Sequence, residues 1–134
     1  IDGYVGLDKR DLGQEIIWEI QDGIPLPDNS CIEIIASHII EHFDENETIE
    51  IMDECWRVLK PNGVLKITSP DISSSTAYIP QHKQRLTIHY FSFFTSPTLY
   101  QNYGIRPWKF LKKEVVQLRG TKRDLQVELI PEDK

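Results

Sequence analysis

Short apolar blocks alternate with polar breaks along this chain, and their lengths predict strands on either side of a helix. Tyr4-Val5-Gly6-Leu7-Asp8 is a brief apolar run closing on an acid, as for a buried strand leaving the core. A second strand is expected over residues 15–20, ended by Gln21-Asp22-Gly23. Ile24-Pro25-Leu26-Pro27-Asp28-Asn29-Ser30 must then be a loop, since two prolines lack the amide hydrogen and hold their predecessors out of the helical region. Residues 32–36 are apolar apart from Glu33, the pattern of a strand covered on both sheet faces. Asp44 with Glu47 three residues later forms a capping box, and Ile49, Met52, Trp56 and Leu59 recur along one helical face until Lys60-Pro61-Asn62-Gly63. Residues 64–68 make the next strand, which Pro70 stops. Strand, helix and strand in so short a unit predict a parallel pair and an α/β fold.

Residues 73–96 read as irregular, and residues 86–105 contain no Asp, Glu, Lys or Arg. This is not a membrane span, because it carries Pro97 and many hydroxyl and amide side chains where about 20 predominantly apolar residues are needed. A short helix is expected over 95–103. Strands over 108–118 and 125–130, joined by Arg119-Gly120-Thr121-Lys122-Arg123-Asp124, predict a C-terminal antiparallel hairpin. Without a repeat, low-complexity tract or linker, residues 1–134 form one domain.

Composition narrows the class. With 40% hydrophobic and 27% charged residues the chain is globular rather than disordered. A net charge of -6 gives no general attraction to nucleic acid or anionic lipid, so neither is expected as a partner. Cys31 and Cys55 are too few for a disulfide scaffold, and each lies in an apolar stretch where a reduced thiol is expected, in keeping with a cytoplasmic location. Residue 1 is Ile, and residues 1–8 read at once as a turn entering a strand, so a preceding piece of the natural protein is expected.

Residues 24–71 are the most informative. The loop IPLPDNS precedes a strand ending in Ala36-Ser37, a segment ending Glu41-His42 follows, and a helix finishes in Arg57-Val58-Leu59-Lys60-Pro61-Asn62-Gly63. Together these resemble class I S-adenosylmethionine-dependent methyltransferases of the type-11 kind, with Asn62 in place of the usual first glycine of the last motif. Asn tolerates the left-handed conformation such a turn requires. The resemblance implies a Rossmann-like, mostly parallel sheet with a C-terminal antiparallel hairpin. It also implies that the family's first strand and glycine-rich cofactor loop would precede Ile1. Since that strand lies between the second and the fourth, its loss opens the sheet at its centre.

The resemblance further implies S-adenosyl-L-methionine as cofactor, with Asp8 accepting hydrogen bonds from ribose hydroxyls at the carboxyl edge of the sheet. Gln21 or Asp22 would contact adenine, and Ser37 and His38 would face the methionine end. His38 is the catalytic candidate, a neutral imidazole able to accept a proton from the methyl acceptor. His82, His89 and Tyr90 fall where related enzymes shape the acceptor pocket, and a small-molecule or sugar-like acceptor is expected.

Two other readings compete. One is a non-catalytic domain used for self-association as a homodimer, its sheet repaired by pairing the second strand directly to the fourth or by a partner chain. The other follows from His38-Ile39-Ile40-Glu41-His42, which matches the H-x-x-E-H pattern of inverted zinc proteases. That motif needs a helix. Here it directly follows a buried strand, and no metal is expected.

Overall fold

The computed structural model describes residues 3–8, 12, 14, 16–17 and 19–134. Two short strands, β1 (Leu7–Asp8) and β2 (Ile16–Ile17), pair in parallel, with Leu7 opposite Ile16 and Asp8 opposite Ile17. Of the strand expected over 15–20, residues 15 and 18 lie outside the described residues, Ile16–Ile17 is extended, and Ile20–Asp22 winds into a 3-10 turn. The turn is closed by Gly23 at φ 94°, where an added Cβ would stand 2.9 Å from the Glu54 carboxylate. Glu54 needs that space because its Oε1 accepts the Ile24 amide at 2.8 Å.

The main sheet has four strands: β3 (Cys31–Ser37), β4 (Leu59–Pro70), β5 (Trp108–Gln117) and β6 (Arg123–Pro131), in the order β3-β4-β6-β5. β3 and β4 run parallel, and β6 is antiparallel to both β4 and β5. The expected α/β sheet with its C-terminal hairpin is present, although the hairpin turn is tighter than residues 119–124, since Arg123 and Asp124 already belong to β6. Among the described residues β1 does not pair with β3, so the sheet is not repaired by joining the second strand to the fourth.

The parallel crossover is α1 (Glu45–Val58). Asp44 accepts the Glu47 amide at 2.8 Å and donates its own amide to Glu47 at 3.0 Å, so two otherwise orphaned donors are satisfied reciprocally. Its buried stripe is Thr48, Ile51, Met52, Cys55 and Val58, rotated from the face the periodicity picked out. Ile49 and Trp56 are half-buried instead. The reason is a second contact surface: the Trp56 indole donates to the carbonyls of Pro107 (3.0 Å) and Glu132 (3.2 Å), tying the helix to both ends of the hairpin. The rest of the core comes from Leu65 and Ile67 on β4, Leu125, Val127 and Leu129 on β6, and Phe91, Phe94 and Trp108.

No loop separates α1 from β4. Cys31 pairs with Leu59 and Glu33 with Val64, so residues 60–63 form a wide bulge inside the strand. Asn62 sits there at φ 66°, as expected from the motif. Gly63 is required by proximity, since a Cβ would stand 2.9 Å from the Lys60 carbonyl and 3.3 Å from that of Cys31.

The uncharged segment breaks into α2 (Ser92–Thr95) and α3 (Pro97–Tyr103), the second opening on Pro97 where a missing amide hydrogen costs nothing. No described helix is long and apolar enough to cross a membrane.

Arg57 joins the two motifs on either side of β3. Its guanidinium donates to the Ile24 and Leu26 carbonyls (2.8 and 2.9 Å), to Asp28 (2.7 Å) and to Glu54 (2.8 and 3.1 Å). The Asn29 and Ser30 amides then bond the carbonyls of Arg57 and Val58. Hydrogen bonding from Arg57 lowers the Glu54 carboxyl below its ordinary value of 4.5.

Arg57→Ala should lower unfolding stability by roughly 2 kcal/mol at neutral pH, in the range for lost hydrogen bonds to a charged group. Because the Glu54 carboxyl is depressed in the folded state, its contribution is present above the ordinary value and lost as pH falls through the folded value, so the wild-type advantage should shrink in acid. In urea titrations Gly63→Ala should cost about 1–3 kcal/mol through backbone clash, whereas Asn62→Gly should stay within about 1 kcal/mol of wild type.

Candidate active site

A cavity of about 1600 Å³ lies between the two sheets. β1 and the start of β2 bound it on one side, and β3 with Ile51, Met52 and Cys55 of α1 on the other. Ile32 and Ile35 of β3 are 73% and 49% exposed, so an apolar strand that the sequence expects to be covered faces open space. Tyr4 spans the gap: its phenol hydrogen-bonds Glu33, which raises the phenol above its usual range, and Glu33 in turn pairs with Lys66 at 3.1 Å.

The carboxyl ends of β1 and β3 both open on this cavity, bringing Asp8, Ser37 and His38 into one lining. In open α/β sheets this edge is where ligands bind. The Gln14 side chain donates to the carbonyls of Asp8 (3.1 Å) and Ile16 (3.0 Å) and accepts the Leu12 amide (2.8 Å). The residues expected to contact adenine stand differently. Gln21 and Asp22 belong to the 3-10 turn rather than a strand end, and the exposed Asp22 is outside the lining; the Gln21 side chain lies outside the described residues.

His38 continues the β3 ladder, its amide donating to the Thr68 carbonyl at 2.7 Å, but its φ of 54° turns the chain sharply. Its ring is half-exposed between two carboxylates, with Nε2 3.4 Å from Asp124 and Nδ1 3.8 Å from Glu41. Glu41 is 2% exposed and accepts the Ser69 hydroxyl at 3.2 Å. Both ring nitrogens therefore face carboxylate oxygens. Glu41 was visible in the sequence as a residue of the loop, whereas Asp124 and Ser69 were not singled out. Asp124 read as a turn acid, and only the antiparallel register that sets it opposite Pro70 brings it beside His38.

The H-x-x-E-H letters do not form the helical zinc motif. Only Ile40–His42 is helical, as one 3-10 turn, and His38 lies in the left-handed region before it. The three residues expected at an acceptor pocket are dispersed. Tyr90 packs edge-on against Phe91 at 5.2 Å with its phenol raised by burial, His89 is exposed, and His82 meets His42; none lines the large cavity. Of the aromatic residues between 90 and 94, Phe91 and Phe94 are fully buried in the core and Tyr90 and Phe93 pack against it.

Both cysteines are free and both line the cavity. Burial pushes the Cys55 thiol up to about 12, while Cys31 is only half-buried.

Residues 9–67 match the sequence model of the family described as "Methyltransferase domain". A SAM-dependent methyltransferase from Archaeoglobus fulgidus has a TM-score of 0.55 at 17% identity, over 78% of this chain and 61% of that one. Another from Aquifex aeolicus gives 0.57 at 17% identity, covering 87% and 55%. The [4+2]-cyclase SpnF gives 0.60 at 14% identity, covering 83% and 54%. Comparison with curated protein sequences finds no match. The chain thus has the Rossmann-like fold of the class I S-adenosylmethionine-dependent methyltransferases, and it spans less than two thirds of the length of these structures. At such identities the likeness is one of fold, and the cyclase shows that this fold carries more than one chemistry.

Alkylation of the native protein near pH 8 should modify Cys31 and spare Cys55, with both reacting after denaturation; peptide mass mapping reads the difference.

Proposed function

We propose that the protein binds S-adenosyl-L-methionine and transfers its methyl group to an oxygen or nitrogen of a small-molecule or sugar-like acceptor. The observation carrying this reading is that Asp8, Ser37 and His38, from the carboxyl ends of two different strands, line one cavity. When bound, the cofactor supplies a methyl group already activated by its sulfonium. The chain has then to position, desolvate and remove a proton. The Asp8 carboxylate accepts from ribose hydroxyls, and the Ser37 hydroxyl lies toward the methionine end. His38 takes the proton released by the acceptor, while Asp124 and Glu41 orient the ring and offset its positive charge.

A cavity of about 1600 Å³ exceeds the roughly 300–1,000 Å³ typical of ligand pockets. We infer that part of it receives a further parallel strand on the open edge of β3, carrying the glycine-rich turn the family uses for cofactor. The free thiols fit a reducing compartment, and we assign the protein to the cytoplasm.

Calorimetric titration of the full-length protein with S-adenosylmethionine and its demethylated product tests the reading, and binding of neither would sink it. Asp8→Ala should weaken cofactor binding by on the order of 1 to 3 kcal/mol, and unchanged affinity discards the ribose role. His38→Ala should slow methyl transfer by about 10²–10⁴-fold in single-turnover assays with cofactor still bound.

A further inference from the structure

We propose that Glu41, His42 and His82 form a binding site for a divalent transition metal of the Zn²⁺ class. The ligand atoms these side chains offer all lie within 4.8 Å of one another. Zinc bonds of about 2.0–2.2 Å to nitrogen and oxygen would draw such atoms closer by roughly an ångström, a movement within reach of side-chain rotation.

Three observations favour an ion here over a chance cluster. The His82 Nδ1 atom is buried and has no hydrogen-bond partner among the described residues, a cost that a metal bond would remove. Glu41 carries a carboxylate at 2% exposure, and among the described residues the only positively chargeable group within 4.0 Å is His38, at 3.8 Å. A buried carboxylate so weakly matched gains from a divalent charge. The rings of His42 and His82 meet at 4.8 Å between centroids and 88° between planes, edge toward face rather than stacked.

The surroundings hold the donors in place. Gln84 clasps the segment carrying His82 onto the turn carrying Glu41 and His42: its amide donates to the Glu41 carbonyl (3.2 Å), and its side chain to Phe43 (2.7 Å) and Thr48 (2.8 Å). The neighbouring Lys83 ammonium pairs with Glu47 at 3.8 Å. Ser69 holds the Glu41 carboxylate from behind, the kind of outer support that orients metal ligands.

Two imidazoles and one carboxylate suit Zn²⁺, Co²⁺ or Ni²⁺ rather than Mg²⁺ or Ca²⁺, which prefer oxygen throughout. Three protein ligands leave a fourth position, and the exposure of His42 opens it to water or to a small oxygen or nitrogen donor. The site uses two letters of the H-x-x-E-H pattern but replaces its first His with one from a distant segment. It does not depend on methyl transfer.

The full-length protein, stripped with chelator, would be titrated with Zn²⁺ in a calorimeter and with Co²⁺ followed by its visible absorption. Stoichiometric binding is expected, with the tetrahedral Co²⁺ spectrum displaced by Zn²⁺. His42→Asn, at an exposed position that tolerates replacement, and His82→Asn should each weaken binding by more than about 100-fold, beyond the loss typical of an outer-shell change. Circular dichroism confirms that each variant is folded, and His89→Asn should bind as wild type. Absence of binding, or binding unaffected by both His42→Asn and His82→Asn, would overturn the proposal. So would loss with His38→Asn together with retention in His82→Asn, which would place the ion on the local motif.

Discussion

Ile24 and Leu26 each precede a proline, so their backbone is confined to extended conformations and their carbonyls are set at a fixed two-residue spacing. The Leu26 amide closes a three-residue turn onto the Ile24 carbonyl at 2.7 Å, and both carbonyls face one guanidinium, that of Arg57. The planar fork of Arg can serve two carbonyls and two carboxylates at once where a lysine could not. Its effect reaches well beyond the loop. By fixing residues 24–30 to the end of α1, it sets where β3 enters the sheet and hence where, seven residues on, the strand delivers Ser37 and His38. The loop and the helix-end motif are therefore one device.

At the far end of β3 a different kind of constraint operates. His38 is held in a left-handed conformation uncommon for residues other than glycine, kept there by an amide bonded into the ladder and by the 3-10 turn that follows. Its two carboxylate neighbours come from opposite directions in sequence, Glu41 from the next turn and Asp124 from the returning strand of the hairpin. The hairpin thus completes the sheet and also brings Asp124 beside His38.

What could be read in advance divides along physical lines. Locally encoded features were legible: the Asp44–Glu47 cap, the proline loop, the left-handed Asn62 and the C-terminal hairpin all depend on residues a few positions apart. The end of the strand expected over 15–20 was not, because Gly23 and a distant carboxylate on α1 favour a turn at Ile20–Asp22 over continued extension. The buried face of α1 was misplaced because Trp56 finds its partners 51 and 76 residues away. For the same reason Asp8 and His38 could be placed from strand ends, whereas Asp124 needed the pairing register, and the aromatic run of residues 90–94 gave no sign that it would serve the core.

The exposed flank of β3 bears on how the chain behaves before it is complete. A seven-residue strand with Ile32 and Ile35 uncovered is the kind of edge that recruits other strands, and its sequence is rich in β-branched residues. Its single charge, Glu33, is held on the strand by Lys66 from β4 and hydrogen-bonded by Tyr4 from across the gap. A charge fixed on such an edge is the kind of feature that opposes edge-to-edge pairing, and the tether to Lys66 holds that charge on the strand.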